Sequence, residues 1–308
     1  MKRETNTIIL AIIACLLWSS AFAVIKVGLQ YTQPLQFAGI RFTLSGLMLV
    51  PLAMRSKGYF NIIIKNLPFI LLVSFLHVFG LYAFFYNGMS RVPGAIGAII
   101  VGSGPLFIAF MSHFMMDNDK MALRKALVML LGFSGIVLVS VGKKASGSED
   151  FKLLGVLFLL ISNTLGGFAN IVIAKSKGKV PAIVLSSTTL VLGGLGLFVL
   201  SVPLEGFQTG PFPLEYWLSL SWLSMLSAVA ISIWFSLLRR PNIKVSSLNM
   251  WKFLVPVSGV MLSWIIISSE KPDFITISGM LLTAVSLILI TRVDRKRLKS
   301  KPAEKMKS

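Results

Sequence analysis

The chain has 308 residues, of which 55% are hydrophobic and 13% are charged. Soluble domains are typically about 25% charged, so this composition excludes a soluble protein and indicates one that lies in a membrane. The formal net charge of +19 would suggest nucleic-acid binding in a soluble protein. Here the basic residues cluster at the ends of apolar stretches, and we expect membrane lipid and no nucleic acid as a partner.

Ten apolar stretches follow one another along the chain. Each is close to the length of about 20 residues that a helix needs to cross about 30 Å of hydrocarbon. They are Thr7–Val27, Pro34–Met54, Leu67–Met89, Gly94–Met116, Leu123–Val141, Leu153–Ala174, Ala182–Pro203, Tyr216–Leu238, Val245–Ser268 and Phe274–Thr291. The connections between them are short and contain turn-forming residues, which leaves no room for a soluble domain.

The basic residues indicate how these stretches are oriented. If the N-terminus is cytoplasmic, the cytoplasmic connections and the C-terminal tail contain most of the lysines and arginines, as the positive-inside rule requires. The exception is the connection Lys143–Lys152, where lysines are mixed with Glu149 and Asp150. We therefore expect both termini in the cytoplasm.

The fourth and ninth stretches share a pattern of residues at a constant offset of about 151 positions. The matches are Pro105 with Pro256, Ser112 with Ser263, Asp119 with Glu270 and Lys120 with Lys271. Chance similarity between apolar segments is the alternative, but ungapped matches of proline and of an acid followed by lysine argue against it. The sequence thus predicts two repeats, residues 1–146 and 147–298, followed by a basic cytoplasmic tail, residues 299–308.

Each predicted repeat contains an odd number of spans, so the second must enter the bilayer from the side opposite to the first. The predicted fold class is an all-α integral membrane protein with ten transmembrane helices in two inverted five-helix repeats. Inverted repeats give two nearly equivalent arrangements, each open to one side, around a central site, and they indicate transport. Pro105 and Pro256 interrupt helical hydrogen bonding, so they are either gating positions or simple kinks.

A lysine lies inside the ninth stretch, in "LNMWKFLVPVSG". One interpretation is that Lys252 snorkels back to the headgroups. The other is that it belongs to a stripe of polar or small residues that faces protein or water, formed by Ser246, Asn249, Lys252, Pro256, Gly259 and Ser263. A desolvated ammonium costs several kcal/mol unless an anion compensates it. A substrate carboxylate would be that anion.

Further polar and aromatic residues at membrane depth are candidates for the wall of a central cavity. Each also has a structural interpretation, either core packing or hydrogen bonding between helices. The predicted substrate-binding residues are Lys252, Asn249, Trp251, His77, Tyr82, Asn163, Asn170, Trp18 and Ser20. Arg41 is placed near the outer end of the second stretch, where it would cap the helix, contact headgroups or contact substrate.

Residues that other functions require are missing from the sequence. None of the eleven carboxylates lies inside a predicted span, which argues against a pump for organic cations. The two histidines are isolated, and metal-site spacings, phosphate loops and nucleophile motifs are not found, so we predict no enzyme, metal or cofactor. A carrier of phosphorylated substrates would need more than one deeply placed basic residue, and only Lys252 clearly qualifies.

The chain resembles the drug/metabolite transporter superfamily, in its ten-helix branch built from two EamA domains. The resemblance covers residues 7–291 and rests on "LLWSSAFAVIKVGL" (Leu16–Leu29), on Arg41 in "FAGIRFTLSG", and on two proline-containing helices that end in an acid–lysine pair, "PLFIAFMSHFMMDNDK" and "PVSGVMLSWIIISSEK". It implies similarity to bacterial exporters of amino acids and other metabolites.

We therefore predict a secondary transporter that moves small polar metabolites, such as amino acids or related carboxylates, across the plasma membrane by alternating access, with export as the expected direction. The alternatives are a carrier for nucleobases, sugar phosphates or amphipathic drugs and, from a different class, a membrane enzyme or assembly factor. Ten spans suffice for a monomeric pathway, and a homodimer is also compatible with the sequence.

Overall fold

A computed structural model of the protein describes residues 2–115, 123–145, 152–176, 178–240 and 245–304, and all regular structure within them is helical. The α-helices are α1 Lys2–Gly28, α2 Pro34–Ala53, α3 Tyr59–Lys65, α4 Leu67–Val73, α5 Leu81–Met89, α6 Gly94–Gly102, α7 Gly104–Met115, α8 Leu123–Ala145, α9 Leu153–Lys175, α10 Ala182–Glu205, α11 Leu214–Leu238, α12 Val245–Asn249, α13 Leu254–Ile266 and α14 Phe274–Glu304. A π-helix, Ser74–Gly80, joins α4 to α5, and a 3₁₀ segment, Met250–Phe253, joins α12 to α13. The predicted pair Asp119 and Lys120 lies outside the described residues.

Among the described residues, seven helical stretches are long and apolar enough to cross a membrane. They are Asn6–Gly28, Pro34–Ala53, Leu67–Met89, Gly94–Met115, Leu153–Lys175, Ala182–Glu205 and Leu214–Leu238. Three more are apolar but shorter, namely Ala126–Val139, Leu254–Ile266 and Phe274–Ser286. The predicted all-helical, multi-span class is thus confirmed, and helix covers most of the described part of each predicted stretch.

Large apolar side chains cover the outside of the molecule. On α2, Leu47, Met48 and Leu52 are exposed, and on α4 so are Leu71 and Leu72. Soluble monomers rarely expose contiguous apolar surface of this extent, whereas the hydrocarbon of a bilayer solvates it well. The exterior therefore suits lipid.

Three predicted spans are not the continuous α-helices that apolar length suggests. The third contains the π-helix, the fourth is interrupted at Ser103, and the ninth passes through the 3₁₀ segment. In the fourth and ninth spans a proline follows the interruption by a few residues. Proline has no N–H, so the carbonyl four residues earlier, that of Val101 or Lys252, loses its α-helical partner.

The helices pack in pairs that join the first half of the chain to the second. α2 packs along α10 and α8 along α14, while α6 packs against α13. α1 contacts α11 and α13, and α9 contacts α5 and α7. The centre of the molecule is therefore built from helices of both halves.

Glycines bring α2 and α10 into close contact. A Cβ on Gly194 would lie 2.4 Å from the backbone N of Thr43, and a Cβ on Gly39 would lie 2.5 Å from the backbone N of Phe198. No side chain fits into these gaps, so the two backbones approach each other directly, as at small-residue interfaces in membranes.

Glu205 and Glu270 each cap the N-terminus of a helix in the other half of the chain, at one end of the molecule. Glu205, which ends α10, accepts hydrogen bonds of 2.9 and 3.0 Å from the backbone N of Leu35 and one of 3.0 Å from that of Gln36, at the start of α2. Glu270, which follows α13, accepts bonds from the first two residues of α6, at 2.5 Å from Gly94 N and 2.9 Å from Ala95 N. Negative charge is favourable at a helix N-terminus, and both caps connect the two halves of the chain.

These caps line two neighbouring cavities. Glu270 borders one of about 600 Å³ and Glu205 one of about 540 Å³. Both cavities are also lined by Leu29, Gln30 and Ser90, so they lie side by side at the same end of the molecule. We call them the vestibules.

Candidate functional site

A cavity of about 120 Å³ lies at the centre of the molecule, where α1, α2, the third span, the broken fourth span, α9, α11 and the broken ninth span meet. Six predicted site residues line it: Trp18, His77, Tyr82, Asn163, Asn170 and Lys252. Sites for drug-sized ligands usually have about 300–1,000 Å³. In this conformation the cavity therefore suits a small molecule.

Lys252 points into the cavity between two tryptophan rings. Its Nζ lies 4.7 Å from the centroid of the Trp234 ring and 5.4 Å from that of Trp18. The two rings meet edge to face, with centroids 5.0 Å apart, and the indole N–H of Trp234 donates a 2.8 Å bond to Asn170 Oδ1. The lysine does not snorkel to the membrane surface in this structure, because its ammonium is held inside the bundle.

The charged residues that line the cavity are all positive. Its described lining contains Lys252 and Arg41 but no aspartate or glutamate. A cation over an aromatic ring gains about 0.5–2 kcal/mol, which is less than the several kcal/mol that burial of an ion costs. The arrangement attracts an anion.

His77 is held by the π-helix. The ring packs edge to face on Phe235, with centroids 4.8 Å apart, and only 6% of the residue is exposed. Its Nδ1 is buried without a hydrogen-bond partner among the described residues. π-Helical turns occur frequently at functional sites, and an unpaired buried nitrogen beside a cavity is a ready partner for a polar ligand.

The helix interruptions of the fourth and ninth spans meet beside the cavity. A Cβ on Gly102 would lie 2.4 Å from Cδ of Pro256, so these two residues are in direct contact. Asn163 of α9 donates a 2.7 Å bond from Nδ2 to the carbonyl of Ile100, next to the interruption in the fourth span. Gly104 and Val255 line the cavity, whereas the neighbouring Pro105 and Pro256 do not.

Arg41 is in the cavity wall, not at the membrane surface. The residue is 2% exposed, and its guanidinium donates to the hydroxyl of Tyr86 and to Ser227 Oγ at 2.7 Å. The expectation of a headgroup contact is therefore wrong. The phenol of Tyr82, which also lines the cavity, stacks at a tilt on Phe42 with ring centroids 4.1 Å apart.

Three predicted site residues do not line the cavity. Asn249 is fully buried and donates to Val245 O at 2.9 Å, one helical turn before Lys252. Trp251 is the neighbour of Lys252 in the 3₁₀ segment, so its side chain points about 120° away around the axis. Ser20 is about 200° around α1 from Trp18, and it donates to Leu17 O and accepts a bond from Trp222 instead.

Trp234 is a cavity residue that the sequence did not indicate, and Arg41 is one for which the sequence left substrate contact open beside two other roles. Trp234 lies in a helix with several other aromatic residues, and periodicity does not separate the aromatic residue that faces the centre from those that face lipid. Arg41 was visible as a charge in an apolar stretch, which is the same signal that selected Lys252. Among the described residues, no group of three or more His, Cys, Asp or Glu is arranged to hold a metal ion.

Comparisons with known proteins agree with these features. Residues 5–141 match the EamA-like transporter family. Two Bacillus subtilis proteins named as uncharacterized transporters, YoaV and YvbV, are each 24% identical to this chain. The first covers 81% of this chain and 85% of the relative, and the second covers 93% and 92%. An Escherichia coli protein named as an uncharacterized inner membrane transporter, YedA, is 23% identical over 80% of this chain and 78% of the relative.

A protein of known crystal structure shares the fold. It superposes with a TM-score of 0.70 and 18% identity, over 94% of this chain and 99% of that chain. Residues 5–141 thus resemble the EamA-like transporter family, and most of the chain resembles proteins that are named as transporters.

Proposed function

We propose that the protein is a secondary transporter of small polar metabolites, namely amino acids or related carboxylates. The observation that carries the proposal is the ammonium of Lys252, which lies in a cavity whose described lining contains no acid. The ring faces of Trp18 and Trp234 compensate only part of the cost of burying that charge. A substrate carboxylate would compensate the rest and would be selected for doing so.

Two further groups would bind the rest of a small polar substrate. His77 Nδ1 has no partner among the described residues. Asn163 uses its Nδ2 on Ile100 O, and its Oδ1 is left for a donor. The small volume disfavours amphipathic drugs, which fill larger sites.

In this proposal the chain crosses the membrane ten times as two inverted repeats, residues 1–146 and 147–298, before the tail 299–308. The packing of the helices supports the repeat. If each helix of one half is replaced by its counterpart in the other half, the contact between α1 and α11 becomes a contact between α9 and α5. Likewise, the contact between α1 and α13 becomes a contact between α9 and α7. All four contacts occur. The same exchange maps α2–α10 and α8–α14 onto themselves.

The interruptions support the repeat as well. With the offset of 151 residues, the 3₁₀ segment Met250–Phe253 corresponds to residues 99–102, which end α6. Hydrophobic segments interrupted at corresponding positions of two halves mark the binding site of many transporters. Alternating access would use these interruptions, with Pro105 and Pro256 as gating positions.

We place the protein in the plasma membrane with both termini in the cytoplasm, and we take export as the direction of transport. The distribution of basic residues supports the orientation. With that orientation the vestibules and their carboxylate caps face outward.

The test is ligand binding and transport by the purified protein. Thermal unfolding is measured with amino acids, organic acids, nucleobases and lipophilic cations, since a ligand of the native state raises the melting temperature. Compounds that stabilise the protein are then assayed for counterflow in proteoliposomes. We expect stabilisation and transport by at least one carboxylate.

Lys252→Ala is compared with Lys65→Ala, which removes an exposed lysine of α3. We expect the carboxylate to stabilise the wild type and Lys65→Ala but not Lys252→Ala, and transport to be lost only in the latter. Stabilisation by lipophilic cations alone, or wild-type transport by a folded Lys252→Ala protein, would show that the proposal is wrong.

A further inference from the structure

Arg41 is a second cation in the wall of the central cavity. It comes from α2, whereas Lys252 comes from the ninth span, and the same cavity is lined by both. Arg41 is only 2% exposed, so neither bulk water nor lipid headgroups solvate its charge. The sequence argument against phosphorylated substrates assumed a single deep cation, and this assumption does not hold.

The partners of Arg41 are all neutral. Nη2 donates to Ser227 Oγ at 2.7 Å, and Nε lies 3.1 Å from the same oxygen and 3.2 Å from Leu223 O. Nη1 donates to the hydroxyl of Tyr86. The guanidinium also lies 4.7 Å from the ring centroid of Phe42. These contacts fix its position without neutralising its charge.

A guanidinium has five N–H groups. The contacts above use Nε and one N–H on each terminal nitrogen, so one N–H on Nη1 and one on Nη2 remain without a partner among the described residues. Two such N–H groups can bind the two oxygens of one acidic group.

Other basic residues of the helix ends are in a different environment. Lys26 Nζ donates to the carbonyls of Met89 and Val92 at 3.2 Å each, and Arg91 donates to the backbone carbonyl of Asn87 at 2.6 Å. Lys26 and Arg91 line the vestibules, whose walls also contain Glu270 and Glu205. Carboxylates balance positive charge there, whereas the described lining of the central cavity contains two cations and no carboxylate.

We infer that the preferred substrate carries two acidic groups, one bound by Lys252 and one by Arg41. This inference rests on the proposed function and specifies its substrate class as small dicarboxylates, acidic amino acids or small phosphorylated metabolites. The shared chemistry is a second anionic group, either carboxylate or phosphate, on a molecule small enough for the cavity.

The first experiment compares matched ligands on wild-type protein at equal ionic strength. Succinate is paired with butyrate, aspartate with asparagine, and phosphoserine with serine, and the dissociation constant of each is measured by calorimetry. We expect the member with the second acidic group to bind at least about ten-fold more tightly, because a hydrogen bond to a charged group contributes about 1.5–3 kcal/mol. The last pair separates phosphate from carboxylate recognition.

Two failures are distinguishable in this comparison. If butyrate binds as tightly as succinate and asparagine as tightly as aspartate, the second acidic group is not recognised and the inference is wrong, whereas the proposed function stands. If no member of any pair binds, the proposed function itself is wrong. Neither result depends on a variant being folded.

Variants then assign the preference to Arg41. In Arg41→Gln we expect the ratio between paired ligands to fall to about one while binding of the singly charged member persists. Arg91→Gln, which removes a cation of a vestibule, is the control and keeps the preference. Equal loss of both members in a folded Arg41→Gln protein would show a purely structural role for Arg41.

Discussion

Replacing Glu270 by glutamine tests how firmly one end of the molecule is closed. The carboxylate accepts bonds from Gly94 N at 2.5 Å, Ala95 N at 2.9 Å and Ser263 Oγ at 2.8 Å. A hydrogen bond to a charged group contributes about 1.5–3 kcal/mol and one between neutral groups about 0.5–1.5 kcal/mol. Glutamine keeps one acceptor oxygen and turns a donor toward the remaining donors, so the gross loss is about 2–4 kcal/mol.

Solvent reduces this loss. Glu270 is partly exposed in its vestibule, and we halve the figure for screening, which leaves about 1–2 kcal/mol. That corresponds to a roughly 5–30-fold shift of the equilibrium between closed and open forms of this end.

Cysteine labelling measures the shift. Cys15 is the only cysteine and is replaced by serine, and Ile25, which is fully buried and lines the central cavity, is replaced by cysteine. We expect a maleimide to react about 5–30-fold faster when Glu270→Gln is added. Glu215→Gln, at an exposed position at the start of α11, is the control and should leave the rate unchanged. An unchanged rate in Glu270→Gln, or an equal rise in the control, would refute the reasoning.

Two further predictions concern packing and the orphan nitrogen. Gly194→Val should lower the free energy of unfolding by about 3 kcal/mol or more, and with it the melting temperature, because a side chain at this position has no space against α2. Gly210→Val is the control and should be neutral, because a Cβ there has nothing within 4 Å. Equal stability of the two variants would contradict the close packing of α2 and α10. In the wild type, His77 Nδ1 is buried without a partner among the described residues, and an unpaired buried polar atom costs about 1–3 kcal/mol of stability. His77→Leu removes this atom. We expect its ligand-free melting temperature to hold or rise while stabilisation by the best carboxylate falls, and the opposite pattern would assign His77 to the core.

The positions of the helices, and the presence of Lys252 at membrane depth, could be predicted from the sequence for the same reason. In a bilayer the cost of a polar residue is large, so hydropathy alone delimits helices, and a single ammonium inside an apolar run is conspicuous. The same reasoning selected His77 and Asn163, which line the cavity.

What the sequence did not reveal depends on direction around each helix. Interior and lipid-facing positions are both apolar here, so periodicity does not separate Trp234, which contacts Lys252, from exposed Trp217 and Trp222 on the same helix. Residues close in sequence to true cavity residues, such as Trp251 and Ser20, were selected for their chemistry but point elsewhere. Only tertiary packing resolves this choice.

The contact between Gly102 and Pro256 has a mechanical consequence. The fourth and ninth spans touch at these two residues, and each span is interrupted close to them. The helices can therefore rotate about this contact as a common pivot. From Pro256 to its last residue, Ile266, α13 rises about 15 Å, so a tilt of about 10° moves that end by about 2.6 Å. Added to the 2.5 and 2.9 Å bonds of Glu270, this displacement takes the atoms beyond hydrogen-bond distance, so a modest rotation at the centre suffices to detach Glu270 from α6 while Gly102 and Pro256 stay in contact.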